Sequence, residues 1–474
     1  MTPTSTRTAL AVAALTLCSA SLEARQGCVQ TEIDPTFATV SVSADGTVEL
    51  GYVLPSAQAA VRDASGVHLL PGSNVQVGAG GLSADGTVAV GNVGFRPARW
   101  DGPAFDTLVL LPPQSSGVIG FGQATGVSAD GSVLVGQVDS TTVWEEASRW
   151  VGGVMEPLGT GLMSNATAVT PDGDTIVGTR NRNYGGPAFV WRAGTGAQDI
   201  PGMAVATPTD VSDDGQVVVG MEGLNGILGG ALPDAFVWSP TLGLVRPLLH
   251  HPLSSRFSAV SPDGSVAYGS MDTATGTVFV AWSEATGIVE LDPGGTSDPS
   301  APPMSAAFRG LDPLRGELFV WEGSLGLRVP ISPVGVEACV ASPRHSGGCR
   351  AHARALGSTT VGDNDLRIRA VSMPANVFGF FIAGRTIDPV PLTSSAGPLC
   401  LGGPLGRLIG PGQIQSSGAA GRIEVQLDLA ALPTPTGAVA AQPGDTWTFQ
   451  AWFRDSIPGA EPSNTSSAVA VTLR

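Results

Sequence analysis

Ser83-Ala84-Asp85-Gly86-Thr87-Val88-Ala89-Val90-Gly91 is one copy of a phrase that recurs along the first two thirds of the chain. This repeat phrase consists of a Ser or Thr, a variable residue, Asp-Gly and an apolar run that ends in Gly. Its Asp-Gly pairs stand 40 to 49 residues apart, at Asp45-Gly46, Asp85-Gly86, Asp130-Gly131, Asp172-Gly173, Asp214-Gly215 and Asp263-Gly264. Such a period is typical of repeat architectures rather than of ordinary globular domains.

Each repeat phrase predicts a β-hairpin. A Ser or Thr, a residue that can be Pro, an Asp and a Gly fit a type I turn followed by a Gly in the left-handed region. Pro171 and Pro262 have the φ that the second position requires, and Gly adopts positive φ without a Cβ clash. We therefore interpret the repeated Asp residues as turn residues that bond to their own backbone, rather than as a ring of carboxylate ligands.

Each repeat also contains a third strand that ends in Trp, followed by a Gly-containing turn and a fourth strand. We place the third strands at residues 97–100, 147–150, 188–191, 235–238, 279–282 and 318–321. The run after Asp-Gly is apolar without alternation, which indicates a strand buried on both faces. The Trp side chains, at the same place in each repeat, are interpreted as core between repeats rather than as a sugar-stacking set.

Four strands in each repeat describe the blade of a β-propeller. The first repeat lacks the Trp and the last lacks Asp-Gly, so we expect about seven blades over residues 36–335, with six or eight as alternatives. A solenoid of stacked coils is less favoured, because its period is usually shorter and its strands run in one direction.

Composition sets further limits. The 474 residues include 64 Gly and 37 Pro, which stand mostly at turn positions. The net charge of −16 should repel phosphate backbones, so nucleic acid is excluded as a partner. Residues 1–24 have a basic residue, an apolar run and small residues in the order of a secretory signal, and no later stretch is long enough to span a membrane. We expect a secreted or cell-surface protein.

Export favours oxidised cysteines, and four remain after signal cleavage: Cys28, Cys339, Cys349 and Cys400. Four cysteines allow three connectivities, among which sequence cannot choose. Proximity favours Cys339 with Cys349, and Cys400 is an alternative partner for either. A zinc site at Cys339, Cys349 and His352 lacks a second ligand pair and is disfavoured.

The Asp-Gly turn, followed by Ala188-Phe189-Val190-Trp191 and Ala235-Phe236-Val237-Trp238, resembles the bacterial extracellular repeat family named for a His-Ala-Phe motif. The likeness covers about 300 residues, although Pro187 and Asp234 stand where that family has His. It implies an exported propeller-like protein without a settled activity, so no catalytic residue can be transferred.

The composition of the chain changes near residue 336. We expect a connector over residues 336–364 and an antiparallel β-sandwich over residues 365–474, because apolar and polar residues alternate strictly at 422–429. The segments around Phe378-Gly379-Phe380 and Gly444-Asp445-Thr446-Trp447 resemble a C-terminal module found on many large bacterial secreted proteins. The predicted fold class is therefore all-β, a propeller followed by a sandwich.

No zinc-protease, nucleophile-elbow or phosphate-loop motif occurs, so we expect no cofactor, no metal and no catalytic residue. The long connections of variable length follow second and fourth strands, and variable loops on a rigid frame are where binding usually resides. Candidate ligand-binding residues on these loops are Trp144, Arg180, Arg182, Tyr184, His250 and His251. The predicted function is non-catalytic binding of an extracellular protein or glycan. The alternative is an extracellular propeller enzyme, a hydrolase or lyase acting on glycans.

Overall fold

Four-stranded antiparallel sheets dominate the computed structural model, in which two compact units are seen: Ile33–Leu291 with Pro302–Val334, and Gly335–Arg474. The structure describes residues 32–34, 36–44, 46–54, 56–72, 77–102, 105–112, 121–140, 145–161, 163–181, 185–223, 232–247, 254–273, 276–284, 287–291, 306–312, 317–322, 325–330, 332, 334–339, 344–347, 349–455 and 462–474. The predicted signal peptide, Asp45 and Cys28 lie outside these described residues.

The first unit is a β-propeller of seven four-stranded blades built from the described strands. From the innermost strand outward, the first four blades are β2 (Phe37–Val42), β3 (Glu49–Val53), β4 (Gln58–Asp63), β5 (Gly66–Leu69); β6 (Val77–Leu82), β7 (Val88–Val93), β8 (Arg96–Asp101), β9 (Thr107–Leu110); β10 (Gly122–Val127), β11 (Val133–Val138), β12 (Glu146–Val151), β13 (Val154–Pro157); and β14 (Asn165–Val169), β15 (Thr175–Thr179), β16 (Ala188–Arg192), β17 (Gly196–Asp199). The others are β18 (Ala206–Val211), β19 (Val218–Glu222), β20 (Asp234–Ser239), β21 (Gly243–Val245); β22 (Ser255–Val260), β23 (Ala267–Thr273), β24 (Gly276–Ser283), β25 (Gly287–Leu291); and β26 (Ala306–Asp312), β27 (Glu317–Glu322), β28 (Leu325–Pro330), β1 (Glu32–Asp34).

The ring is closed by the N-terminal strand. β1 pairs with β28 as the outermost strand of the seventh blade, and β2 lies against β26 of that blade. This closure corrects one expectation, that residues 318–321 form a third strand. They lie in β27, the second strand, because the blade takes its fourth strand, β1, from the N-terminal end of the described residues.

The repeat phrase of the third blade shows why its residue types recur. Ser128 Oγ donates to Asp130 Oδ1 at 2.7 Å and accepts from Val133 N at 3.0 Å. The same carboxylate accepts from Ser132 N at 2.9 Å. These bonds, led by the one from the Ser132 backbone, lower the pKa of Asp130 to about 2. The buried hydroxyl and the carboxylate therefore hold the turn together.

The Gly of the repeat phrase also joins one blade to the preceding one. Gly131 has a φ of 71°, and a Cβ placed on it would lie 2.6 Å from Val88 Cγ2, at the start of β7. Gly173 stands in the same way against Val133, and Gly264 against Val217. Gly is required here for close contact between blades as well as for its backbone conformation.

Backbone hydrogen bonds link the phrases around the ring. The amide of the second phrase residue donates to the carbonyl of its counterpart in the next blade. The bonds seen are Ala44 N to Ala84 O at 2.7 Å, Ala84 N to Ala129 O at 2.9 Å, Ala129 N to Pro171 O at 2.8 Å and Asp213 N to Pro262 O at 3.0 Å. Pro171 and Pro262 have no N–H to donate, so the series is interrupted after each of them.

Among the side chains that the structure describes, Trp100, Trp150 and Trp191 fill the spaces between blades, as predicted. Trp100 is buried against Leu50 and Val61 of the first blade, and Trp150 against Val88 and Val90 of the second. Trp150 Nε1 donates to Pro112 O at 3.0 Å, which satisfies the buried indole N–H.

The second unit is an antiparallel β-sandwich. One sheet has the order β29-β41-β40-β32-β35, with β36 also paired to β32, and the other has the order β30-β31-β37. A short 3-10 helix spans Val361–Asp363, and two hairpins, β33-β34 and β38-β39, complete the unit. The strand bounds are β29 (Val336–Ala338), β30 (His352–Gly357), β31 (Leu366–Val371), β32 (Phe378–Gly384), β33 (Thr386–Val390), β34 (Leu399–Gly402), β35 (Gly406–Leu408), β36 (Gln415–Ser416), β37 (Ile423–Gln426), β38 (Leu432–Thr434), β39 (Gly437–Val439), β40 (Thr446–Arg454) and β41 (Ser463–Thr472). Residues 336–364, expected to be a connector, contribute β29 and β30 to it.

A disulfide joins Cys339 to the buried Cys400, and their Cα atoms are 6.1 Å apart. The pairing of Cys339 with Cys349, favoured by proximity in sequence, is therefore wrong. β34 brings Cys400 to the segment after β29, whereas Cys349 is disulfide-bonded elsewhere. Proximity in the folded unit, not spacing along the chain, determines the partner of Cys339.

Glu337 on β29, whose side chain is 10% exposed, joins three elements of the sandwich. It forms an ion pair with Arg354 and hydrogen bonds with His352 Nδ1, at 2.8 Å, and with Ser467. Burial alone would raise its pKa, but the charges of Arg354 and His352 and these hydrogen bonds lower it to about 2. The carboxylate therefore stays charged and paired inside the unit.

Two Gly→Ala substitutions separate the backbone role of the phrase glycine from its contact role. Gly152 has a φ of 58°, and a Cβ placed on it would have no atom within 4 Å. Gly152→Ala should therefore lower the free energy of unfolding only by the cost of the backbone conformation, about 1 kcal/mol. Gly131→Ala adds the collision with Val88 and should cost about 2–4 kcal/mol. Denaturant unfolding measures both free energies. Equal losses would show that the contact between blades contributes nothing.

Candidate functional site

The two faces of the propeller differ in how similar their connecting segments are from one blade to the next. The turn face carries the repeat phrases and the connections between third and fourth strands. The loop face carries the connections from second to third strands and from fourth to first strands. Its second-to-third connection is residues 94–95 in the second blade, 180–187 in the fourth and 223–233 in the fifth. Differences between blades are therefore concentrated on the loop face.

Five of the six predicted binding residues lie outside the described residues. They are Trp144, Arg182, Tyr184, His250 and His251.

Arg180 is described, and its side chain serves the fold. Its Nε donates to Asp199 Oδ1 at 2.5 Å, and a terminal nitrogen donates to Thr160 O at 2.9 Å. The guanidinium also lies 5.8 Å from the ring centre of Phe189. Arg180 thus fixes the start of a loop-face connection, and its contact with a ligand stays a prediction.

An exposed aromatic pair lies on the loop face. Phe95, in the second-to-third connection of the second blade, is 73% exposed, and Phe121, which precedes β10, is 41% exposed. Their ring centres are 5.7 Å apart in an edge-to-face arrangement. Backbone bonds from Gly122 N to Phe95 O and from Asp139 N to Phe121 O hold both segments in place. Exposed aromatic rings on a rigid frame are suited to anchor a partner.

A small cleft opens on the loop face between the fifth and sixth blades. It has a volume of about 100 Å³ and is lined by Met221, Pro233, Ser254, Ser255, Arg256, Ser270 and Asp272. Half-buried Arg256 lies at the start of β22, and its Nε donates to Ser270 Oγ at 3.4 Å. We call this site the Arg256 cleft.

The innermost strands enclose a channel of about 360 Å³, lined mostly by small and apolar residues. Two carboxylates, Asp210 and Asp213, interrupt this lining near the turn face. Asp213 occupies the second phrase position, where the other copies have Ala or Pro.

The two carboxyl groups have raised pKa values. Burial between the fifth and sixth blades raises the pKa of Asp210 to about 7, although its oxygens accept hydrogen bonds from Val211 N and Val260 N, both at 2.9 Å. Partial desolvation beside the neighbouring strands, together with the charges of Asp214 and Asp263, raises the pKa of Asp213 to about 6. Near pH 6 to 7 both groups can exchange protons.

The sequence held only weak signals for these features. The substitution of Asp213 for Ala or Pro was visible in the repeat phrase, but nothing in the sequence showed that Asp210 is enclosed by two blades. Phe95 and Arg256 could be placed on the loop face only after the strands were paired. Among the described residues, no group of three or more His, Cys, Asp or Glu could hold a metal ion, and no helix has the length and apolar character of a membrane span.

No family model and no curated protein matches the chain. Solved structures with some likeness include the β-propeller domain of Cps50 (Swd1) from Myceliophteria thermophila, with 13% identity, a TM-score of 0.43, and coverage of 64% of this chain and 98% of that one. TolB from Acinetobacter baumannii has 14% identity, a TM-score of 0.33, and coverage of 55% and 64%. Prolyl oligopeptidase B from Galerina marginata has 8% identity, a TM-score of 0.41, and coverage of 74% and 57%. With TM-scores this low, the assignment to the propeller fold rests on the strand order of the chain itself.

Asp210 should make stability depend on pH. Its pKa is raised from the ordinary 3.8 to about 7 in the folded protein. Between these two pH values the carboxyl group keeps its proton in the folded protein and loses it in the unfolded chain. The free energy of unfolding should therefore fall by about 2 kcal/mol from pH 5 to pH 8. Asp210→Asn should reduce this slope and leave the part that Asp213 contributes, whereas Asp85→Asn should leave it unchanged, because the pKa of Asp85 is lowered. Denaturant unfolding at pH 5 and pH 8 measures the change for the wild-type protein and both variants. The same change in the free energy of unfolding for all three would contradict this prediction.

Proposed function

We propose that the protein is an exported, non-catalytic binding module that contacts an extracellular protein or glycan through the loop face of its propeller. The observation that carries this proposal is the exposed pair Phe95 and Phe121 on that face. The turn face is occupied by contacts that hold adjacent blades together, so the loop face is free to differ from blade to blade. The repeat itself supports the further proposal that the chain is related to the exported His-Ala-Phe repeat proteins.

A second candidate is an enzyme acting on glycans. It is favoured by Asp210 and Asp213, two carboxyl groups with raised pKa values on one channel. Paired carboxyls with separated pKa values suit general acid and base roles. Against this role, both oxygens of Asp210 already accept backbone hydrogen bonds.

Truncation of the aromatic pair tests the binding role. The double variant Phe95→Ala/Phe121→Ala should bind its ligand at least tenfold more weakly, because each exposed anchor contributes roughly 1–2 kcal/mol. A matched control is Val154→Ala/Leu242→Ala, which removes two exposed apolar side chains from the turn face. Biolayer interferometry against a panel of extracellular polysaccharides and isolated envelope fractions measures the affinities.

Equal loss of affinity in both double variants would contradict the choice of face. The same polysaccharides, incubated with the protein and assayed for new reducing or unsaturated ends, distinguish the two candidates. Turnover that Asp210→Asn and Asp213→Asn abolish would establish the enzyme instead.

A further inference from the structure

The half-buried arginines on the described strands of the propeller have partners within the fold, and Arg256 is the exception. Arg62 contacts Glu49, Arg149 contacts Glu156, and Arg246 contacts Glu222. Arg192 donates to Gly215 O of the next blade at 2.6 Å. In each case a half-buried guanidinium has an anionic or carbonyl partner within the fold.

Half-buried Arg256 has no such partner among the described residues. The bond that the structure shows for its side chain is the long one from Nε to Ser270 Oγ, 3.4 Å. Its two terminal nitrogens, which form the fork that recognises paired oxygens, are left without a carboxylate or a carbonyl in the described part of the protein. Arg256 lines an open cleft, so an anion that arrives from outside the protein can reach its guanidinium.

The surroundings of this guanidinium form a small polar cleft. Ser254, Ser255 and Ser270 bring hydroxyl groups to its wall, and Met221 and Pro233 add apolar surface. The volume of about 100 Å³ is several times the roughly 10–15 Å³ that one water molecule needs, so a carboxylate with its adjoining carbon fits.

Asp272 narrows the choice of anion. Its carboxylate lines the same cleft and accepts a hydrogen bond from Ser254. A dianionic phosphate would be repelled more strongly than a carboxylate, which carries a single charge. A carboxylate acceptor in the wall can also receive a hydroxyl group from a ligand. The pair of opposite charges therefore matches a ligand that has a carboxylate and a hydroxyl close together.

We propose that the Arg256 cleft binds the carboxylate of a hydroxylated acid, of which a uronic acid in an extracellular polysaccharide is the chemical type. The carboxylate accepts two hydrogen bonds from the Arg256 fork, and an adjacent hydroxyl donates to Asp272. This inference rests on the proposed binding role of the loop face and names the chemistry of its ligand.

Isothermal titration calorimetry of the full chain with D-glucuronate, methyl glucoside and inorganic phosphate tests the inference. Glucuronate should bind at least tenfold more tightly than the neutral sugar or phosphate. Arg256→Gln should abolish this preference, and Arg256→Lys should restore only part of it, since an ammonium has no planar fork. Arg422→Gln, which removes an exposed arginine from the sandwich, should change nothing.

A measurement on the wild-type protein keeps the test independent of how the variants fold. Binding of glucuronate should weaken as the salt concentration rises from 20 mM to 500 mM, because salt screens the ion pair between the carboxylate and Arg256. Binding of the neutral sugar should not change. Equal affinity for glucuronate and methyl glucoside, or tighter binding of phosphate, would overturn the inference. If that happened while Phe95→Ala/Phe121→Ala still lost affinity for its ligand, the binding role of the loop face would be retained. Only the inference about the ligand of the Arg256 cleft would be rejected.

Discussion

In five of the six phrases the glycine lies against the start of the second strand in the preceding blade, and the propeller depends on this constraint. Gly131 leaves no room for a Cβ beside Val88, and Gly264 stands against Val217 in the same way. A blade of four strands cannot bury both of its faces alone, so neighbouring blades must approach closely. The bond from Arg99 to Gly131 O, 2.9 Å, adds a polar link across the same junction.

Because of this constraint, the turn face holds adjacent blades together, and the loop face is where the blades differ. On the turn face, a change of residue type disturbs a hairpin and a junction between blades together, so the same phrase returns. On the loop face, connections differ in length from blade to blade without affecting those junctions. Phe95, Phe121 and Arg256 all lie there, whereas Asp210 and Asp213 modify the channel near the turn face. Binding chemistry can vary on the loop face while the ring stays the same.

Much of the fold was accessible from the sequence because one phrase encodes both a turn and its neighbours. The hairpins, the Trp cores between blades and the number of blades follow from periodicity. The strand order of the seventh blade could not be predicted, because Trp321 stands in a sequence like that of the other repeats and β1, at residues 32–34, pairs with β28, at residues 325–330. The favoured partner of Cys339 was wrong for a similar reason, since a bond across 61 residues leaves no mark in local spacing, and the alternative partner, Cys400, is confirmed.

The site was harder to predict than the fold. Loop length pointed to a face, but exposure of Phe95 and the missing partner of Arg256 in the described part of the chain are properties of packing that no single residue type reveals. Asp210 is an acid in an otherwise ordinary strand, and only the enclosure by two blades changes its pKa.

A double-mutant cycle between two blades tests the central claim most directly, with Val88→Ala, Gly131→Ala and the double variant unfolded by denaturant. If the phrase glycine joins blades, the smaller residue at 88 makes room for the new methyl group. The double variant should then lose at least about 1 kcal/mol less stability than the sum of the single losses. Losses that add within about 0.5 kcal/mol would contradict the account, because the two positions would then act independently.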